Sequence, residues 1–320
     1  MAHEKHPQRI SPHITRLMDA EGGCGPVSRQ FLMDAREEDI SPDERADPIG
    51  DDAHSPLPGL IHRYPDRVLL LPTDACASHC RFCFRRGRTG NPGALTPEQM
   101  DAALAYIREH GEIREVILSG GDPMTLPPRR LAGLVSALDA IPHLMFLRIH
   151  TRLPIVAPEK LTPARLGALA TRRLPLFMAI HANHASEITP EVKAACLKLA
   201  RRGIPLLGQT VLLRGVNDST GALAGLFRAM ASARITPYYL HHADLAPGTR
   251  HFRVSLKRGR EIYAALRGQL SGFCIPHYVL DLPGGYGKVS VAPDAVVELG
   301  DDSAIIMDRS GKRHRYSDRA

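Results

Sequence analysis

The sequence predicts an α/β fold, a partial (β/α)6-type TIM-like barrel of parallel strands. Short apolar runs recur from residue 68 onward, and loops and amphipathic stretches of helical length separate them. Alternating strands and helices imply parallel strands joined by right-handed crossovers. About six such units fit a partial or open barrel better than one of eight units. The apolar runs are Val68–Leu71, Val116–Leu118, Leu144–Ile149, Leu176–Ile180, Pro205–Leu213, Thr236–Leu240 and Tyr278–Leu282.

The helix candidates between these runs carry start signals. Three of them open on a Thr-Pro pair, which suits an N-cap followed by the first helical position: Thr96-Pro97, Thr162-Pro163 and Thr189-Pro190. Residues 1–55 are rich in Asp, Glu, Pro and His and show little periodicity, so we expect a helical, partly irregular extension there. The predicted organisation is an N-terminal extension over 1–55, the barrel over 56–255, and a C-terminal segment over 256–320 packed on the barrel.

Polar residues cluster where the predicted strands end. The cysteine-containing loop follows the first run, and the turn Ser119-Gly120-Gly121-Asp122 follows the second. Later runs are followed by Thr151 and Arg152, His181, Gln209, His241 and Asp244, and finally Lys288. In barrels of parallel strands the active site lies at the carboxyl ends of the strands. We therefore expect these side chains to share one site.

Three of the six cysteines lie within eight residues, as Cys76-x3-Cys80-x2-Cys83. Such short spacings let one loop wrap an iron–sulfur cluster, and three thiolates on four irons leave one iron open to another ligand. Zinc sites typically use paired C-x2-C units. No second pair is visible, so the spacing favours a cluster. The alternatives are a zinc site and thiols that are simply buried. The remaining cysteines are scattered and are predicted to be ordinary thiols: Cys24, Cys196 and Cys274.

Composition narrows the class of protein further. With 43% hydrophobic residues the chain can bury a substantial core, which argues against a disordered scaffold. The formal charge of +7 comes from 41 Lys and Arg against 34 Asp and Glu and is spread along the chain. This charge fits a nucleic-acid surface and a site for phosphate and carboxylate ligands equally well. Because no RNA-binding module is apparent, we expect no nucleic-acid partner. Met1–Ile10 is polar and unlike a signal peptide, and no apolar run is long enough to span a membrane. The expected location is cytoplasmic.

The whole motif Cys76-Ala-Ser-His-Cys80-Arg-Phe-Cys83 resembles the signature of the radical S-adenosylmethionine superfamily, including an aromatic residue before the third cysteine. That resemblance implies a [4Fe–4S] cluster whose open iron is chelated by the methionine part of S-adenosylmethionine. Reductive cleavage then gives a 5′-deoxyadenosyl radical. The resemblance also implies that a glycine-rich turn meets the methionine amino group and that two further residues line the same pocket. These residues are Ser119, Gly120, Gly121 and Asp122 in the turn, with His181 and Gln209.

Four further motifs are similar to those of the lysine 2,3-aminomutase family, in order and over about residues 55–300: His62–Arg67, Cys83–Arg86, Gln209–Asp218 and Pro283–Lys288. By this resemblance Lys288 carries pyridoxal 5′-phosphate as a Schiff base, a bond that lysine forms with aldehydes. Arg63, Tyr64 and Arg67 then contact the phosphate, to which arginines offer forked donors. The implied reaction is a radical 1,2-shift of an amino group from the α- to the β-carbon of an amino acid.

Charge argues for L-lysine as the substrate. By the same resemblance Arg85 contacts the α-carboxylate, and Asp244 and Asp281 receive the side-chain ammonium. Burying an ammonium requires opposite charge, whereas a relative acting on glutamate would need basic or amide groups there. His241 is a departure, because the resemblance leads us to expect a tyrosine at that position.

Several alternatives stay open. The product could be free β-lysine or β-lysine destined for elongation factor P, and the genes beside this one would discriminate between them. Action on another amino acid, or an RNA-modifying radical enzyme, are further alternatives. We expect a short form without the C-terminal zinc segment of longer family members. The expected partners are an electron donor such as flavodoxin or ferredoxin and further copies of the chain in a homo-oligomer, a dimer or tetramer.

Overall fold

The computed structural model describes residues 6–89, 93–308 and 310–317, so the polar start Met1–Ile10 lies partly outside the described residues. Its main feature is a nine-stranded sheet whose strands follow one another in chain order. Strands β2 to β8 are parallel, and the edge strands β1 and β9 are antiparallel to their neighbours. The strands are β1 Leu60–Tyr64, β2 Arg67–Leu70, β3 Glu115–Leu118, β4 Phe146–Thr151, β5 Leu176–His181, β6 Leu206–Leu212, β7 Ile235–His242, β8 His277–Leu282 and β9 Gly287–Ser290.

The sheet forms a nearly closed barrel, and the predicted fold class is confirmed. Each of the seven apolar runs corresponds to one of the parallel strands β2 to β8. The edge strands were not predicted, because they are short and largely polar. At the seam between them the hydroxyl of Tyr64, the last residue of β1, accepts the backbone N–H of Lys288 in β9 at 2.8 Å. A side chain thus bridges the two edges of the barrel.

The helices lie where their start signals place them. The hydroxyls of Thr96, Thr162 and Thr189 each accept a backbone N–H from the first turn of a helix that begins with proline. This is the N-cap arrangement expected from the Thr-Pro pairs. The helices are α1 Pro12–Ala20, α2 Pro26–Phe31, α3 Pro97–Glu109, α4 Pro128–Asp139, α5 Leu153–Val156, α6 Pro163–Gly167, α7 Pro190–Ala200, α8 Thr220–Ser232 and α9 Leu256–Leu266.

One large core lies between the strands and the helices that cover them. It contains Leu118, Ile149 and Phe227, and it also contains Ile14 and Phe31 from the N-terminal helices. The N-terminal residues therefore pack into the same core as the barrel. In the C-terminal segment, β8 and β9 complete the main sheet. The division at residues 55 and 255 stays a prediction.

The chain ends in a separate antiparallel sheet in which β11 lies between β10 and β12. The strands are β10 Val296–Leu299, β11 Ser303–Met307 and β12 Arg313–Ser317. β10 and β12 are exposed along their whole length. None of the described helices has the length and apolar character needed to cross a membrane.

Candidate active site in the barrel

A cavity of about 740 Å³ lies inside the barrel. It extends from the cysteine loop at the carboxyl ends of the strands to Glu115 and His277, the first residues of β3 and β8. Every residue predicted for the site lines this cavity, although the role of each stays a prediction. These residues are Arg63, Tyr64, Arg67, Cys76, Cys80, Cys83, Arg85, Ser119, Gly120, Gly121, Asp122, His181, Gln209, Asp244, Asp281 and Lys288.

The glycine-rich turn after β3 is joined to the segment that leads into the cysteine loop. The backbone N–H of Gly121 donates to Thr73 at 2.8 Å, and that of Asp122 donates to Ala75 at 2.8 Å. A Cβ atom at Gly120 would lie 2.5 Å from the Thr73 carbonyl oxygen, and Gly120 has a φ of 105°. Only glycine allows that approach. The two predicted motifs therefore hold each other in place.

The three cysteines of the loop line the cavity as free thiols. None forms a disulfide. Burial, and to a lesser degree the neighbouring Cys80, raise the pKa of the Cys83 thiol to about 11. Burial also raises the pKa of Cys76 well above its ordinary value. A thiolate at these positions needs positive charge beside it, which iron ions supply. Within the described ranges no three His, Cys, Asp or Glu side chains are placed to hold a single metal ion. A cluster is a different case, because its three thiols bind three separate irons.

Contacts with N-terminal residues hold the cysteine loop in place. The guanidinium of Arg81, which is 2% exposed, donates to Glu37, and so does that of Arg86. The backbone N–H of Arg81 also donates to the carbonyl of Gln30 at 2.8 Å. These contacts fix the middle of the loop against the 3-10 turn Ala35–Glu38. Sequence analysis did not predict them.

Arg152, directly after β4, connects the cysteines to a buried polar network. Its Nη1 donates to the sulfur of Cys80 at 2.7 Å, and its Nη2 donates to Glu187 and to Gln30 at 2.6 Å each. The carboxylate of Asp122 accepts the backbone N–H of Arg152 at 2.9 Å. Asp122 therefore uses its side chain to hold this turn. The position of Arg152 at a strand end was visible in the sequence, but its partners are distant in the chain.

His181 and Gln209 lie side by side on β5 and β6. The Nε2 of His181 lies 3.0 Å from Oδ1 of Asn183, and its ring centroid lies 5.5 Å from that of Phe82. Burial and the charge of Arg152 lower the pKa of His181 well below its ordinary value. The ring is therefore neutral. It forms an aromatic wall next to the cysteine loop.

Lys288 and Asp281 face each other across the β8–β9 turn, because the antiparallel register pairs them directly. The ammonium of Lys288 donates to the Asp281 carboxylate. It lies 3.4 Å from Nδ1 of His241 and 5.4 Å from the centroid of the Tyr239 ring. Burial acts to raise the pKa of Asp281, but hydrogen bonding to His241 and the charge of Lys288 outweigh it and hold that pKa well below its ordinary value.

Asp244 stands beside this pair without a partner of its own. It accepts no hydrogen bond and forms no ion pair among the described residues. Removal from water, and then the negative charge of Asp281, raise the pKa of Asp244 to about 7. The two carboxylates thus lie close enough for their charges to interact, and Lys288 forms an ion pair with Asp281 alone. This part of the cavity has capacity for a second positive charge.

Asp51 joins two of the predicted arginines. Its carboxylate accepts from Nη2 of Arg63 at 2.9 Å and from Nη2 of Arg85 at 2.8 Å. Arg85 also lies 3.4 Å from the hydroxyl of Ser119. Arg67 instead lies over the ring of Tyr64, at 3.8 Å from its centroid. Asp51 was not predicted, because it belongs to an Asp-rich stretch that carries no periodic signal.

The inner end of the cavity carries further polar groups that sequence analysis missed. Arg148 forms an ion pair with Glu115 at 2.8 Å. The Nε2 of His150 is buried without a partner, and burial and the charge of Arg148 lower the pKa of this ring well below its ordinary value. Tyr238 and Tyr239 both line the cavity although they are adjacent on β7, because the strand register shifts beside them. Arg148, Tyr238 and Tyr239 fall within the predicted apolar runs Leu144–Ile149 and Thr236–Leu240, and His150 directly follows the first of them, so no motif pointed to these side chains.

Comparison with known proteins agrees with this geometry. Residues 70–226 match the model of the radical SAM superfamily, and residues 263–318 match a model described as lysine-2,3-aminomutase. The solved structure of anSMEcpe with bound AdoMet is 12% identical, covers 64% of this chain and 58% of that one, and superposes with a TM-score of 0.50. The fold and the cysteine-lined cavity define a radical S-adenosylmethionine enzyme, and the predicted [4Fe–4S] cluster and S-adenosylmethionine are the cofactors of that class.

Sequence relatives place the chain more closely. It is 40% identical to the L-lysine 2,3-aminomutase of Clostridium subterminale over 310 residues, which are 97% of this chain and 74% of that protein. It is 35% identical to the glutamate 2,3-aminomutase of Clostridioides difficile over 315 residues, 97% of this chain and 73% of that protein. The chain belongs to the lysine 2,3-aminomutase family, as its motifs predicted.

Proposed function

We propose that the chain is an L-lysine 2,3-aminomutase, an isomerase that moves the amino group of L-lysine from the α- to the β-carbon. The observation that carries this proposal is the pair Asp244 and Asp281, which lies in the same cavity as Lys288 and the three cysteines. An ammonium in a small site needs opposite charge. Asp244 supplies a carboxylate that forms no ion pair with any cation among the described residues.

The residues fit the cofactors of this family. Cys76, Cys80 and Cys83 would hold the cluster, and Lys288 would hold pyridoxal phosphate. When bound, the cluster and S-adenosylmethionine supply a carbon radical that removes a hydrogen atom, and pyridoxal phosphate supplies the group through which nitrogen migrates. Arg63 suits the phosphate, because its Nε is buried at the cavity wall without a partner. Tyr64 and Arg67 lie next to it in the chain.

Lys288 determines whether the carboxylate of Asp281 is open to the ammonium of the substrate. As a free ammonium it occupies the carboxylate of Asp281. Were Lys288 to hold pyridoxal phosphate through this nitrogen, the carboxylate of Asp281 would be open to another cation. The side-chain ammonium of lysine would then lie between Asp244 and Asp281. Its arrival stabilises the charged form of Asp244, whose pKa is about 7 without it.

Arg85 would receive the α-carboxylate. Its guanidinium is oriented by Asp51 at 2.8 Å and lies near Ser119 in the S-adenosylmethionine-side turn. A guanidinium held in this way presents its remaining N–H groups in a fixed direction. Arg85 and the Asp244–Asp281 pair then hold opposite ends of one amino acid. The carbon chain between them is positioned for loss of a hydrogen atom.

The same residues argue against the alternatives. Glutamate would bring a third carboxylate next to Asp244 and Asp281, where like charges repel. An RNA-modifying enzyme would leave Lys288, Asp244 and Asp281 without a role. L-lysine as the substrate gives each of these three residues a role.

The test is anaerobic reconstitution of the cluster, followed by addition of S-adenosylmethionine, pyridoxal phosphate, dithionite and either L-lysine or L-glutamate. We expect β-lysine by chromatography and little product from glutamate. A preference for glutamate, or no β-lysine from protein with full iron and bound pyridoxal, contradicts the proposal. Lys288→Ala should lose the absorption band of bound pyridoxal, whereas Lys193→Ala, an exposed position on α7, should retain it.

We further propose three properties that accompany this function. The cluster receives its electron from a small carrier such as flavodoxin or ferredoxin. The chain acts as a homo-oligomer. It works in the cytoplasm, whose reducing poise suits an oxygen-sensitive cluster. A reduction assay with purified flavodoxin, light scattering in solution, and cell fractionation would test each in turn.

A further inference from the structure

We propose that Arg152 is a positioning residue that raises the reduction potential of the cluster by donating a charged hydrogen bond to the sulfur of Cys80. The inference rests on the assignment of the cluster to Cys76, Cys80 and Cys83. It does not depend on which amino acid is the substrate. Its experiment therefore measures the cluster itself.

The contact with Cys80 distinguishes this thiol from the other two. Nη1 of Arg152 lies 2.7 Å from the Cys80 sulfur. The sulfur of Cys83 has the hydroxyl of Thr89 at 4.0 Å, and the described residues place no side-chain donor on Cys76. Hydrogen bonds to the sulfurs are among the factors that set cluster potentials. A charged donor is about twice as strong as a neutral one.

Arg152 is held so that it cannot turn away from the sulfur. Its side chain is 9% exposed, and its ion-pair partner Glu187 is fully buried. Glu187 in turn accepts the backbone N–H of Asn183 at 2.9 Å and Nε2 of Gln30 at 3.1 Å. The guanidinium carbon also lies 4.7 Å from the ring centroid of Phe31. The cationic end of the ion pair is thus fixed toward the cluster and its anionic end away from it.

The direction of the effect follows from charge. Reduction transfers one electron from a low-potential donor, dithionite in the test, to the oxidised cluster and makes it more negative by one charge. A fixed cation beside a ligand sulfur stabilises the more negative state. Arg152 therefore makes the cluster easier to reduce. Glu187 opposes it, because its negative charge offsets part of the guanidinium's field.

The experiment compares Arg152→Gln and Glu187→Gln with the native protein, each reconstituted anaerobically and first assayed for iron and sulfide. Midpoint potentials are measured by dithionite titration before S-adenosylmethionine is added. We expect Arg152→Gln to lower the reduced-to-oxidised ratio at fixed potential about tenfold, a shift of 59 mV for one electron. Glu187→Gln should shift the potential in the opposite direction. Arg86→Gln, which removes a partly buried guanidinium of the same loop that bonds to Glu37, is the control and should shift the potential by less than about a third as much.

A purely structural role would lower the iron content of both variants and leave the potential of the remaining cluster unchanged. That result overturns the proposal, as does a shift of the same sign in both variants. If Arg152→Gln binds no iron, Glu187→Gln decides alone: an unchanged or lower potential refutes the inference. Absence of any cluster in the native protein would instead refute the cluster assignment of the proposed function.

Discussion

The two ends of the cavity differ in how completely their polar groups are paired. At the cysteine end, Glu37 holds two arginines, and the two Nη atoms of Arg152 have three partners, although its Nε is buried without one. At the lysine end, Asp244 has no hydrogen-bond partner among the described residues, and Nε2 of His150 has none. A satisfied buried network is rigid, whereas unpaired groups await a ligand. The polar groups of the cysteine end are therefore more completely paired, and the lysine end keeps polar groups open for a ligand.

The largest expected effect is at the cysteine end. Cys80→Ala should abolish cluster binding and β-lysine formation, because the cluster loses one of only three protein ligands. Iron and sulfide analysis after reconstitution measures this. Cys24→Ala removes an exposed thiol outside the cavity and should retain the full iron content. Equal iron in the two variants would show that the thiols at the cavity are not the ligands.

The lysine end should respond to pH. Burial and the charge of Asp281 raise the pKa of Asp244 to about 7, so we expect its ionised fraction to rise from a minor to a major share between pH 6 and pH 8. Only the ionised form attracts the substrate ammonium, so KM for lysine should fall about tenfold from pH 6 to 8. Asp244→Asn should lower kcat/KM about 10- to 100-fold, the range for a hydrogen bond to a charged group. Its KM should depend less on pH. A parallel pH profile in the variant would remove Asp244 from the substrate site.

Asp51 lies between the two ends and should affect two binding events together. Asp51→Asn keeps the shape but removes the charge that orients Arg63 and Arg85. We expect roughly a tenfold lower kcat/KM for lysine and faster release of pyridoxal phosphate. Arg63→Lys should change mainly the release of the cofactor. If Asp51→Asn altered only one of the two, the shared carboxylate would not couple them.

Sequence reasoning reached the fold and the ligands that follow strands, but not the groups that support them. The period of apolar runs located β2 to β8, and the positions of Cys76, Asp244 and Lys288 after predicted strands placed them in one cavity. Asp51, Gln30 and Glu187 carried no local signal. Each acts through a partner distant in the chain, such as Gln30 on Arg152, which is 122 residues away. Only the folded chain, with its N-terminal segment packed on the barrel, brings those partners together.

The smallest expected effect on cofactor binding concerns the backbone that supports the lysine end. Gly50 has a φ of 71°, and a Cβ there would lie 2.3 Å from the backbone nitrogen of Gly285 in the turn before Lys288. Gly22 has a similar φ of 70° but nothing within 4 Å of such a Cβ. Gly22→Ala should therefore lower the free energy of unfolding by about 1 kcal/mol from backbone strain alone. Gly50→Ala should cost roughly 1–3 kcal/mol more from overpacking.

Thermal unfolding of the two glycine variants is measured together with their rates of pyridoxal phosphate release. The comparison separates the cost of backbone strain from the cost of the close Gly50–Gly285 contact. Gly50→Ala should also release the cofactor several-fold faster, because the displaced turn carries Lys288. Gly22→Ala should leave that rate unchanged. Equal losses of stability and equal release rates would mean that the Gly50–Gly285 contact does not shape the lysine end. The difference between the two ends would then reside in side-chain pairing alone.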